Sequence, residues 1–383
     1  MNLQKKRRPL WLLLILAVIA AALLPATASA QTTTGPDIYR VTVTVTNLAP
    51  TNGTIQTPFW VAVHNGGFDT YNRGAAASPE LERLAEDGNT GPLSEAFAAN
   101  GRGQDATIAG PDGPLAPGDS ATYTFIVKPK ARRGRFFSYA SMVIPSNDAF
   151  VANGNPKAHR LFTNNGRFIG RDFTIRGKRV LDAGTEVNDE IPENTAALAQ
   201  AAPNTGVTEG GTVGAHAGFD PAGNILAART GADFTSSGYD IARVEFDAEP
   251  IAVTTDTARL RGSNEVPALS TTVKGLAKVR LTLNGNLWFR FRTNETSGIT
   301  GAHIHAGAPG ENGPVLAVLY ADPSGSQRKI DIRGNMRASD LMDSLEGGSI
   351  SDLWVLIEAG EAYVNVHTVA NPAGEVRANL NAS

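Results

Sequence analysis

No cysteine occurs among the 383 residues. Disulfides, thiolate metal sites, cysteine nucleophiles and thiol lipidation are therefore excluded. A chain without cross-links has to hold together by packing alone, and this one is long enough to do so, most naturally as two domains. Histidine is also scarce, at six. A cationic excess is missing too: 34 Lys and Arg face 37 Asp and Glu, which argues against nucleic acid as a partner. There is no nucleophile elbow and no phosphate-cradling glycine loop ahead of a helix. Ser and Asp are plentiful, but nothing arranges them as a triad, so a non-enzymatic role is expected.

Long apolar runs are absent after the first 30 residues. The one near the start follows Lys5, Lys6, Arg7 and Arg8, spans Leu10 to Leu24, and ends ahead of Ala28-Ser29-Ala30. That is the pattern of a cleaved secretion signal over 1–30, and the run is short for a membrane span. Removing those four cations leaves 30 basic against 37 acidic residues, a net charge of −7. A secreted protein is expected, whether periplasmic, surface-bound or extracellular, with no transmembrane segment after cleavage.

What is abundant is turn chemistry. Forty glycines and 22 prolines separate short alternating runs, the pattern of an all-β chain. Tyr39–Thr46 alternates apolar and polar residues, as do Thr57–His64 and Ala121–Val127. Phe136–Ile144 is mostly apolar, as a strand buried on both faces should be. Ser78-Pro79-Glu80 starts a short helix that Gly88 ends, and a second runs from about Pro92 to Ala99. Ile191–Gly214 is expected to be a long mobile surface loop, and Tyr239–Phe246 a strand closing the first domain. A linker over 248–257 follows. Strands are then expected at 258–260, 274–283, 287–292, 301–306, 315–320, 353–358, 362–369 and 375–380, with a helix over Ser339–Glu346. The Asn284-Gly285-Asn286 turn is a hairpin signal. The fold class is all-β: a first β-sandwich over 31–247 with short helices, then a second over 258–383.

Three histidines fall in the second half. His303 and His305 are two apart on a strand, hence on one face, and His367 shares a face with Tyr363 and Asn365. Neutral imidazoles suit zinc or copper, and Glu375 offers a carboxylate nearby. The alternative is that the imidazoles bond to loop backbone and to Glu375, bracing the end of the sandwich. In the first half, Asp182-Ala183-Gly184-Thr185-Glu186 sets two carboxylates on a bent loop, and Asp148 follows a buried strand. Hard oxygen ligands of this kind select calcium, or magnesium if the cavity is small; the alternative is a solvated acidic loop. His64 and His216 lie in glycine-rich loops and are expected to bond to backbone rather than to ligate. Lys128, Lys130, Arg132, Arg133 and Arg135 form a basic cluster, either a solvated turn or a dock for anionic polymers.

Two families resemble these stretches. Ser263-Asn264-Glu265-Val266-Pro267, Ala302-His303-Ile304-His305, Asn312-Gly313-Pro314-Val315 and the run Tyr363–Arg377 resemble, in order, the signature of the chordin-type (CHRD) domain. That resemblance covers about 258–383 and implies an extracellular immunoglobulin-like β-sandwich used for interaction. The His-x-His and its glycine-rich loop are also similar to copper/zinc superoxide dismutase, which needs more histidines and an aspartate. Over about 37–247 the chain resembles the spondin N-terminal domain. The matches are Tyr39–Leu48, His64–Phe68, Ser78–Leu81, Ala140–Phe150 and Asp182–Glu186. That resemblance implies a calcium ion on Asp148, Asp182 and Glu186, with Glu186 where the family has Asp and Ala149 where it has Trp. The expectation is a secreted binding or adhesion protein with a calcium site, meeting an extracellular or cell-surface protein or polysaccharide. The alternative is a copper or zinc metalloenzyme using His303, His305 and His367.

Overall fold

The computed structural model describes residues 38–100, 102–131, 133–251, 256–282 and 285–381. The expected leader, Arg132 and Asn284 lie outside the described residues. Among those described, no helix is long and apolar enough to cross a membrane.

In the first half the strands Ser120–Val127, Tyr39–Asn47, Asp240–Pro250 and Phe173–Arg176 pair in that order as an antiparallel sheet. Tyr39–Asn47 alternates buried and half-buried along its whole length, because only one of its faces meets the core. Val41, Val43 and Val45 pack with Phe59, Val61, Val63 and Phe137 of a larger sheet. That sheet runs Gly214–Ala215, Leu181–Asp182, Ala149–Ala152, Phe136–Ile144, Phe59–His64, Gly103–Ile108. Its other face is covered by the helices Pro79–Asp87 and Gly91–Asn100, whose Leu81, Leu84, Leu93 and Phe97 pack on Trp60, Ala62, Ala140 and Phe150. Phe59–His64 is therefore buried throughout, and Phe136–Ile144 almost so.

The second half is one eight-stranded antiparallel sheet. Its order is Val315–Ala321, Ile299–Ala306, Ala362–Thr368, Val376–Leu380, Asp256–Arg261, Lys274–Leu281, Leu287–Thr293, Asp331–Met336. It wraps a core that includes Phe291, Ile304, Leu316, Val364 and Trp354. Ile38 and Ile126 of the first half join this core. Arg40 reinforces the contact by bonding Ser351 and Glu358.

Several expectations change. Leu353–Glu358 is no strand but part of an α-helix, Ile350–Ala359. Ser349 and Asp352 form a reciprocal capping box, Gly360 ends the helix at φ 74°, and Leu353, Trp354 and Ile357 share its buried side. The helix expected over 339–346 is two separate 3₁₀ turns, Ala338–Asp340 and Asp343–Leu345, and Met342 between them is exposed rather than inward. Asp331–Met336 is a strand that the pattern analysis missed. The 191–214 segment is irregular, but it is laid down on the sandwich: Thr195 and Ala196 are buried, and Ala196 bridges Ser146. The ends of the expected linker are strand, since Asp240–Pro250 enters it and Asp256–Arg261 begins inside it, while 252–255 lie outside the described residues.

Candidate metal centre

Ile299–Ala306 and Ala362–Thr368 lie side by side in antiparallel register, with Gly301 opposite His367, His303 opposite Asn365 and His305 opposite Tyr363. Opposed residues of such a pair project to the same face, so all three histidines stand together. Irregularities of register flank them on both neighbouring strands, and such breaks re-aim side chains. Gly301 is part of the arrangement. A Cβ there would meet Cε1 and Nε2 of His303 at 3.2 Å, so the missing side chain is what lets that ring lean toward His367. The ring centroids are 4.8 Å apart for His303 and His367 and 5.6 Å for His303 and His305.

The backbone sets the protonation of two rings. Nδ1–H of His305 donates to the Gly313 carbonyl at 3.0 Å, and Nδ1–H of His367 donates to the Pro372 carbonyl at 2.8 Å. A carbonyl can only accept, so Nδ1 carries a proton in both rings, and in the neutral tautomer the lone pair is on Nε2. Those two Nε2 atoms and Nδ1 of His303 are buried and without a hydrogen-bond partner. One ligating nitrogen from each histidine lies within 4.8 Å of the others. Burial, with His367 and His305 adding to it, holds His303 down at about 4. Burial also lowers His305. Neutral rings are the form that ligates metal.

This donor set fits a borderline metal. Three imidazoles, two fixed by outer carbonyls, leave a fourth position for water or a partner's group, as in three-ligand zinc sites. Glu375 is not the fourth ligand suggested by its place in the sequence. Its oxygens accept from Thr271 Oγ1 at 2.8 Å and Thr368 Oγ1 at 2.6 Å, so it ties down the turn instead. Sequence reasoning also missed Gly301 and the two carbonyls, although Asn312-Gly313-Pro314 and Asn371-Pro372 marked tight loops there. Tyr363, stacked on His305 at 4.9 Å with rings 8° from parallel, was visible only as a face-mate of His367.

The acidic residues are arranged differently. The Asp148 Oδ2 accepts from Thr185 N at 2.8 Å, Glu186 N at 3.1 Å and Thr185 Oγ1 at 3.2 Å. Asp182 turns its oxygens to Gly184 N and to the Asn188 amide, both at 2.7 Å. Glu186 accepts from Gly206 N at 3.0 Å. Backbone amides thus do much of the pinning that was expected of an ion. Among the described residues the histidines are the one group of three or more ligating side chains with converging donor atoms. Asp148 Oδ1 and Glu186 Oε2 are nevertheless buried and unpartnered. Burial and then Asp182 push the Asp148 carboxyl up to about 6; burial and then Glu86 push Glu186 up to about 7.

Of the remaining sequence candidates, His64 ends a strand rather than lying in a loop. Its ring bonds Ser138 Oγ at 2.9 Å and accepts from Gly66 N at 3.0 Å. His216 accepts from Gly218 N and packs between Phe219 and Phe234. In the basic cluster, Arg135 is committed to Asn164 and the Pro129 carbonyl.

Residues 257–380 match the CHRD domain, so the chain carries that domain around the histidine centre. The match does not reach residues 37–247. No curated protein matches the chain.

Proposed function

We propose that this is a secreted binding-type protein whose CHRD domain holds zinc or copper on His303, His305 and His367. CHRD domains are typical of extracellular proteins, which agrees with the leader expected from the sequence. One observation carries the metal assignment: one ligating nitrogen from each of the three rings converges, each ring has a buried nitrogen lacking any partner, and backbone carbonyls hold the Nδ1–H of two of them. Buried polar atoms without partners are costly, and a divalent ion relieves all three at once. Binding is favoured over turnover because Glu375, the carboxylate expected to join the imidazoles, is committed to two threonines. Elemental analysis of the whole chain after equilibration with zinc or copper should find one ion per chain. His303→Ala and His367→Ala should each reduce that to a trace. Wild-type protein that stays metal-free would sink the assignment.

A second reading concerns calcium in the first half, and it rests on the unpartnered buried oxygens of Asp148 and Glu186. Calcium needs six or more oxygens, so Asp182 and backbone carbonyls would have to turn inward. Melting in calcium against chelator tests it: a rise that Asp148→Asn removes supports the site, and identical curves reject it.

A further inference from the structure

Where the two sheets of the first sandwich part, a recess of about 860 Å³ opens. It lies between Phe173–Arg176 of the four-stranded sheet and the paired strands Ala149–Ala152 and Leu181–Asp182 of the larger one, with neither of which Phe173–Arg176 pairs. Its size is that of a small-ligand site. No Asp or Glu lines it, while Arg73, Lys178 and Arg179 do. None of these three forms a salt bridge among the described residues, although the chain as a whole is acidic. Arg73 and Arg179 act electrostatically on the Tyr71 hydroxyl, and Arg179 also on Tyr139. Asp69, which is not a lining residue, acts on Tyr71 in the opposite sense.

Its walls are aromatic. His159 stacks on Phe173 with centroids 3.8 Å apart, and Tyr139 lies 5.5 Å from the same ring. Tyr71 crosses Gly154 so closely that a Cβ there would sit 2.7 Å from its Cζ. The Tyr139 hydroxyl and the His159 imidazole make no hydrogen bond among the described residues. Burial keeps His159 neutral at about 4, so its ring has one donor and one acceptor to offer.

We infer that this recess binds an acidic sugar, a short stretch of uronic-acid-bearing polysaccharide. Guanidinium forks match carboxylates, aromatic rings take the apolar face of a sugar, and a neutral imidazole and a hydroxyl serve its hydroxyl groups. A free inorganic anion would leave the walls uncovered, and a fatty chain would leave the cations and polar atoms unanswered. The inference is independent of the metal centre, which lies in the other half of the chain.

The test is calorimetric titration of the whole chain with trigalacturonate, with the neutral trisaccharide cellotriose and with inorganic sulfate. Trigalacturonate should bind saturably and at least ten-fold more tightly than either control. Arg73→Gln with Arg179→Gln should weaken it at least ten-fold, with Lys178→Gln as a milder variant should the pair fail to fold. Equal affinity for cellotriose would overturn the inference. So would undiminished binding by the variants, or retention on anionic phospholipid vesicles without any oligosaccharide binding.

Discussion

Arg377 is fully buried, and its guanidinium lies 3.3 Å from the centroid of the Tyr363 ring. It donates to Asn312 Oδ1 at 3.1 Å and to the Ala308 carbonyl at 3.0 Å. Tyr363 in turn stacks on His305, so one aromatic ring couples a buried cation to the histidine cluster. Arg377→Met would strand Asn312 and the Ala308 carbonyl and leave Glu265 without its counter-charge. We expect a loss of about 3 kcal/mol in urea denaturation, and weaker zinc retention. Arg377→Lys should not rescue it, because an ammonium lacks the planar fork. At this scale the sequence was half legible. The alternation around His303, His305 and His367 put three imidazoles within reach of one another. The carbonyls of Gly313 and Pro372 were hidden, because a backbone atom has no letter. Arg73 was hidden for another reason: it is remote along the chain from the neighbours Lys178 and Arg179, and the three line one recess only in the folded chain.

At the scale of elements, the strands were legible wherever one face is wet. Tyr39–Asn47 shows this, since its alternation is the burial pattern itself. Ile350–Ala359 was misread because Leu353, Trp354, Val355, Leu356 and Ile357 form an unbroken apolar run. Such a run cannot distinguish a buried strand from a helix by period. The deciding signal was the cap, Ser349 with Asp352 three residues on and Gly360 beyond. Ser349→Ala should cost about 1 kcal/mol, read as a lower urea midpoint with an unchanged slope. Asp331–Met336 escaped notice because its Gly334 breaks the alternation; a Cβ there would stand 2.7 Å from the Phe289 ring across the pair.

For the molecule as a whole, burial drives two sets of groups in opposite directions. His64, His159 and His303 are all held down at about 4. The unfolded chain therefore binds more protons between about 6.5 and 4, and their contribution is lost as pH falls through that window. Asp148 at about 6, and Glu186 and Glu265 at about 7, do the reverse. They bind more protons when folded, so their contribution is present at low pH and lost as pH rises toward 7. In chelator the two sets oppose each other, and stability should change little between pH 4.5 and 6.5. Glu186→Gln removes one of the opposing acids without touching the counter-charge of Arg377. That variant should be more stable than wild type at pH 7.5, by about 1–3 kcal/mol, and should lose stability steeply on acidification. Urea midpoints across that range decide it. Timing follows from where the three imidazoles sit. His303 and His367 are remote along the chain and meet only through strand pairing, so the unfolded polypeptide holds no converged set of three imidazoles. If the proposed centre takes zinc or copper, loading therefore follows folding and draws on the metal supply present where folding finishes.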